Sequence, residues 1–113
     1  MKTALEHQPS DEDRKQRSLA LADELYQFLE DHEVDERSDP LDPEARRRDE
    51  AIMRQYRRRF AGRVVALLEE LKTRGWWKPE ALEEKKRRRI EDPGFPVDIQ
   101  DVAQYLSAIG HRS

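Results

Sequence analysis

Apolar residues recur at three- and four-residue intervals along most of this chain, the period of a helix with one buried face. Leu21, Ala22, Leu25, Tyr26, Phe28 and Leu29 share such a face, and the spacing predicts a first helix from about Asp11 to about His32. Ser10 followed by Asp13 is a capping-box-like start, and Asp11, Glu12 and Asp13 place negative charge on the positive helix end. Met1–Pro9 reads as a flexible tail, and residues 10–110 as one helical domain. The stretch from Glu33 to Asp42, with Pro40 and Pro43 at its end, reads as a linker.

A second helix is expected from Pro43 to Arg74. Asp42 supplies its N-cap, and Pro43 stands at the first helical position, where a missing N–H costs nothing. Gly75 is placed to be its C′ residue, followed by Trp76 at C″ against Leu71 at C3. The apolar stripe is Ile52, Met53, Tyr56, Phe60, Val64, Leu67, Leu68 and Leu71. Its later half, from Ala61, is apolar on nearly every side and belongs in the centre of a bundle. A thinner third helix is expected from Pro79 to about Ile90, and Asp92-Pro93-Gly94-Phe95-Pro96 is a turn. For the last helix Asp98 reads as N-cap, Asp101 as N3, Val97 and Val102 as a hydrophobic staple, and Gly110 as the stop. No segment alternates as a strand. The fold class is therefore all-α, a small bundle of about four helices with one long central helix.

Composition sharpens this picture. Charged residues are 42% of the 113, yet the formal net charge is only −3, with a mean hydropathy of −1.10. Mixed charge with clear periodicity suits helices laced with ion pairs rather than disorder. With no cysteine and no asparagine, disulfides, thiolate metal sites and N-glycosylation are excluded. The first twenty residues hold no apolar core of a secretory signal, and no run approaches the ~18 apolar residues of a membrane span. A cytoplasmic location is the expectation.

The charge is laid out in blocks. Residues 1–44 hold 5 basic and 14 acidic side chains, whereas residues 46–63 hold 8 basic and 2 acidic. Acidic helix one is expected beside basic helix two. Arg47, Arg54 and Arg58, spaced by seven and four, share an outer stripe open to an acidic partner, while Arg57 and Arg63 flank the core face and suit internal carboxylates. Nucleic acid is the alternative partner, since arginine clusters neutralise phosphates, but the sequence pI of 5.7 weighs against it. Lys85-Lys86-Arg87-Arg88-Arg89 points around the whole helix and pairs with Glu83 and Glu84, which makes it a solvated run rather than a basic face.

Catalytic signals are missing. His7, His32 and His111 lack metal-ligand spacing. The acidic linker has no glycine for a calcium loop, and the four glycines build no phosphate cradle. No spacing suggests an activated nucleophile. Ile99 to Ala103 is placed like the first helix of a helix-turn-helix, but only four residues follow Ile109. No catalytic residue, cofactor or metal is expected. Trp77 is open to two readings, core packing or an exposed partner anchor.

Two stretches, Arg59-Phe60-x-Gly62-Arg63-Val64-x-x-Leu67-x-x-Glu70-Leu71-x-x-Arg74-Gly75 and Pro96-x-x-Ile99-x-x-Val102-Ala103-x-x-Leu106, resemble a recurring segment of uncharacterised bacterial proteins. The resemblance covers about half the chain. It implies a helical fold and a bacterial origin, and carries no activity. Within it, Gly62 is expected where another element packs close, and Arg63 where it snorkels or binds a carboxylate.

The function expected is a non-enzymatic protein–protein interaction or assembly module, and the alternative is a nucleic-acid-associated accessory protein using helix two. Helix two would be about 48 Å long at ~1.5 Å per residue, longer than a domain of this size. The overhang would expose Ile52, Met53 and Tyr56 unless helix one or a second chain covers them, so a homodimer is also expected.

Overall fold

The computed structural model describes residues 11–34 and 41–111. The expected tail Met1–Pro9, the Ser10 cap and most of the linker lie outside the described residues. The elements are α1 (Asp11–Asp31), α2 (Pro43–Tyr56), a π-helical turn (Arg57–Ala61), α3 (Gly62–Thr73), a 3-10 turn (Pro79–Ala81), α4 (Glu84–Glu91) and α5 (Pro96–Gly110). Backbone angles stay helical through the π turn, so α2 and α3 form the one long helix of an all-α bundle. No strand is present among the described residues.

α1 lies antiparallel to both α3 and α5. Against α3, Arg17 meets Glu70, Glu24 meets Arg63, and the Phe28 and Phe60 rings lie 5.2 Å apart edge to face. Against α5, Gly110 at the end of one helix sits on Leu19 and the Lys15 carbonyl near the start of the other. The α1 positions 14, 18, 21, 25 and 28 are all buried, a seven-residue repeat facing the bundle. Arg14 and Ser18 extend it into polar residues, and the Ser18 hydroxyl is fully buried without a hydrogen bond among the described residues.

The π turn has a reason in the sequence. Ile52, Tyr56, Phe60 and Val64 are each four apart. In an ideal α-helix each such step overshoots a full turn by about 40°, so the line would drift about 120° off its face. Yet all four are at most 3% exposed. A π turn takes up one extra residue, which lets the stripe on both sides of it stay aligned on the core.

Helix ends follow the local chemistry. The Asp42 carboxylate accepts from the Glu44 amide, with Pro43 next to it, as expected. Gly75 has φ +80°, and the amides of Gly75 and Trp76 donate to Lys72 and Leu71 carbonyls at 3.0 and 2.8 Å, a full Schellman motif. The same motif closes α1, where Glu33 takes the left-handed position at φ 50° and Val34 donates to Leu29. A side chain other than glycine there is strained.

Several expectations are corrected. The Pro79–Ile90 helix is broken, because Leu82 and Glu83 are extended between the 3-10 turn and α4. Eight residues apart on one helix, Leu82 and Ile90 would stand about 80° off a common face, and the break brings both to the core. Asp98 is not the N-cap of α5. The fixed φ of Pro96 starts the helix three residues earlier, with Phe95 as N-cap, and Asp98 reaches back from N3 to accept from the Gly94 and Phe95 amides. The Val97–Val102 staple is displaced with it. Gly62 has nothing near its Cβ position, so no close packing calls for it. The close approach is at Gly110, where a Cβ would meet Leu19 Cγ at 2.5 Å and the Lys15 carbonyl at 3.3 Å. Gly110 is helical and buried, and His111 rather than Gly110 forms the cap.

These two glycines give opposite predictions. Gly62→Ala removes the backbone entropy cost of an exposed helical glycine and should stabilise by about 0.5–1 kcal/mol. Gly110→Ala forces α1 and α5 apart and should destabilise by about 1–3 kcal/mol. Thermal melting of the two variants checks both signs.

Candidate functional site

The arginines divide into those the fold uses and those it does not. Arg63 grips Glu24 through both guanidinium nitrogens and lies 5.7 Å from the Phe60 ring centre. This holds the Glu24 carboxyl below its usual range, chiefly by the direct hydrogen bond. Arg59, next to it on the same flank, lies over Phe28 and Phe60 at 5.6 and 5.1 Å. Arg17 pairs with Glu70 and Asp13, Arg88 with Glu84, and Arg89 with Asp101 at 3.0 Å across the α4–α5 seam.

The expected outer stripe of Arg47, Arg54 and Arg58 is exposed, and none of the three makes an ion pair among the described residues. The same holds for Arg46, Arg48 and Arg57. Arg57 was expected to pair internally and does not. It follows Tyr56 while Arg63 precedes Val64, so the two fall on opposite flanks, and Glu24 of α1 serves only the flank of Arg59 and Arg63. The basic surface of α2 and the π turn is thus wider than the three-residue stripe.

The tryptophans do not form a surface anchor. Trp77 is 3% exposed and packs edge to face on Tyr105 of α5 at 4.8 Å. This overturns its reading as a partner-binding residue: Gly75 turns the chain back over α5 and carries Trp77 into the core. Trp76 is half-buried against the same core, with Lys15 5.9 Å above its ring. The overhang argument for a dimer also falls, because Ile52, Met53 and Tyr56 are buried within the chain. Burial pushes the Tyr56 hydroxyl up to about 12, with the Asp92 charge adding to it, so Tyr56 stays neutral.

A second feature lies where α1 ends and α5 begins. Tyr26, Leu29, Glu30, Glu33, Val34, Val97 and Gln100 line an open groove of about 340 Å³. Its floor is apolar and its carboxylates come from the last turn and cap of α1. Sequence reasoning missed it: Tyr26 reads as a member of the buried face of helix one but is 37% exposed, and the groove forms only where α5 lies beside α1. Among the described residues no three His, Asp or Glu side chains gather as a metal site, and no helix is long and apolar enough to cross a membrane.

No protein-family model matches the chain, and neither the curated proteins nor the solved structures contain a match. The surfaces above therefore carry the functional reading.

The Glu24–Arg63 pair yields a pH prediction. Both side chains are about half exposed, at 48% and 52%, so losing Arg63 orphans no buried carboxylate. Arg63→Ala should cost at most about 1 kcal/mol. Because the folded carboxyl is lowered, its contribution is complete above the unfolded pKa and fades as pH falls through the folded one. The stability gap between wild type and Arg63→Ala, read by urea melts at neutral and acid pH, should close on the acid side.

Proposed function

We propose that this chain is a non-enzymatic interaction module that offers the arginine face of α2 and the π turn to an acidic protein surface. The observation that supports this reading is the contrast within one long helix. Arg59 and Arg63 serve the bundle, while Arg46, Arg47, Arg48, Arg54, Arg57 and Arg58 stand exposed without an ion pair among the described residues. Arginine is suited to this use because its planar fork binds carboxylates in pairs and is weakly hydrated. Glu44, Asp49 and Glu50 are interspersed on the same helix. They would repel a polyphosphate but can register a mixed-charge protein surface, which favours a protein partner over nucleic acid.

The test uses Arg47→Ala/Arg54→Ala/Arg58→Ala with poly-glutamate and duplex DNA as probes at low and moderate salt. The expected result is that the wild type binds poly-glutamate more tightly than DNA, and that the triple variant loses at least about tenfold in affinity, or roughly 1.4 kcal/mol. Its melting temperature should move by no more than a few degrees, since exposed arginines contribute little to folding. A large drop in melting temperature would make the stripe an internal seam. Preference for DNA would shift the reading to a nucleic-acid accessory protein.

A further inference from the structure

We propose that the outer face of α3 and the π turn packs antiparallel against the same face of a second copy of this chain, with Arg58 of each meeting Glu69 of the other. The inference goes beyond the proposed function and shares only Arg58 with the arginine face named there.

The later half of the long helix is apolar on nearly every side, but the bundle covers only one of them. Val64, Leu67, Leu68 and Leu71 are buried, and the opposite side is open along its length. Gly62 stands two residues from both Phe60 and Val64, and Glu69 two residues from both Leu67 and Leu71. Two residues are about 200° on a helix, so both point away from the core. Arg58 stands in the same way between Tyr56 and Phe60, which the π turn keeps on the core line. All three are exposed, and so are Ala66 and Val65, the latter at 50%. A glycine inside a helix costs stability relative to alanine. Yet nothing among the described residues approaches within 4 Å of the Gly62 Cβ position. The fold itself does not use that room, which suits a side chain arriving from outside.

The order of the residues names the occupant. Arg58, Gly62, Val65 and Glu69 are spaced by four, three and four, the alternation of a two-helix seam. Arg58 with Glu69, and Gly62 with Val65, share one midpoint, between residues 63 and 64. A two-fold axis at that level sets Arg58 against the partner's Glu69 and Val65 against the partner's Gly62. Each contact then occurs twice, as an isologous interface requires. Neither Arg58 nor Glu69 makes an ion pair among the described residues. A parallel pairing would set like charges against each other, so charge complementarity selects the antiparallel one. The apolar contact is small and its charges are exposed, so the association is weak.

The experiment is sedimentation velocity on the full chain at low salt, between about 10 µM and about 1 mM. The wild type should dimerise towards the upper end of that range. Arg58→Glu sets two pairs of glutamates face to face, and Glu69→Arg two pairs of arginines, so each should weaken the dimer about tenfold. An equimolar mixture of the two restores both pairs in a heterodimer, and the double variant Arg58→Glu/Glu69→Arg restores both in a homodimer. Each should recover wild-type association. Val65→Ser should weaken the dimer without changing the charge. Lys85→Glu changes the net charge as Arg58→Glu does but lies outside the stripe, and should leave the dimer unchanged. Circular dichroism on each variant checks that it is folded. A wild type that stays monomeric throughout overturns the inference. So do single variants that associate as well as the wild type, or a mixture and a double variant that recover nothing.

Discussion

The architecture depends on one register constraint: the long helix must keep Ile52, Tyr56, Phe60 and Val64 on a single line although they are spaced by four. A straight α-helix cannot do this, and the π turn at Arg57–Ala61 resolves the mismatch. Without it, either Ile52 and Tyr56 or Val64 and Leu71 would rotate off the core. The turn therefore joins a basic arm and a buried apolar half in one continuous helix.

The same turn decides which arginines serve the fold. Once Phe60 is fixed against Phe28, Arg59 and Arg63 lie along the flank that faces Glu24 and the two rings. The arginines on the other sides of the helix have no acidic element opposite them among the described residues. Charge left over by packing is thereby gathered on α2. The α1–α5 seam contributes a second constraint, since Gly110 admits Leu19 at a distance no larger residue would allow.

Much of this was legible in the sequence. Asp42-Pro43 and Gly75-Trp76 are local signals whose hydrogen bonds involve only neighbouring residues, and they form as expected. The Arg63 partner was legible as a type, a carboxylate, though not as Glu24. Errors came where two local rules compete. Pro96 and Asp98 each suit a helix start, and the proline wins because Asp98 can still satisfy the amides behind it from N3. The glycines were misjudged because close approach is a tertiary property: Gly62 faces open space and Gly110 faces a neighbouring helix. The π turn was readable in principle, since three successive steps of four break the alternation of three and four that a straight buried stripe requires. Arg14 and Ser18 extend the α1 stripe at the right spacing, but their polarity hides them from a search for apolar residues.

The register constraint is tested most directly by deleting Arg58, which removes one residue from the π turn while leaving every core side chain in place. The spacing from Tyr56 to Phe60 then becomes three, and an ordinary α-helix carries the stripe. The deletion should preserve the helical circular dichroism spectrum and a cooperative melt within about 5 °C of the wild type. A protein that loses cooperative melting, or melts far below the wild type, would contradict the claim that the turn exists to absorb one extra residue.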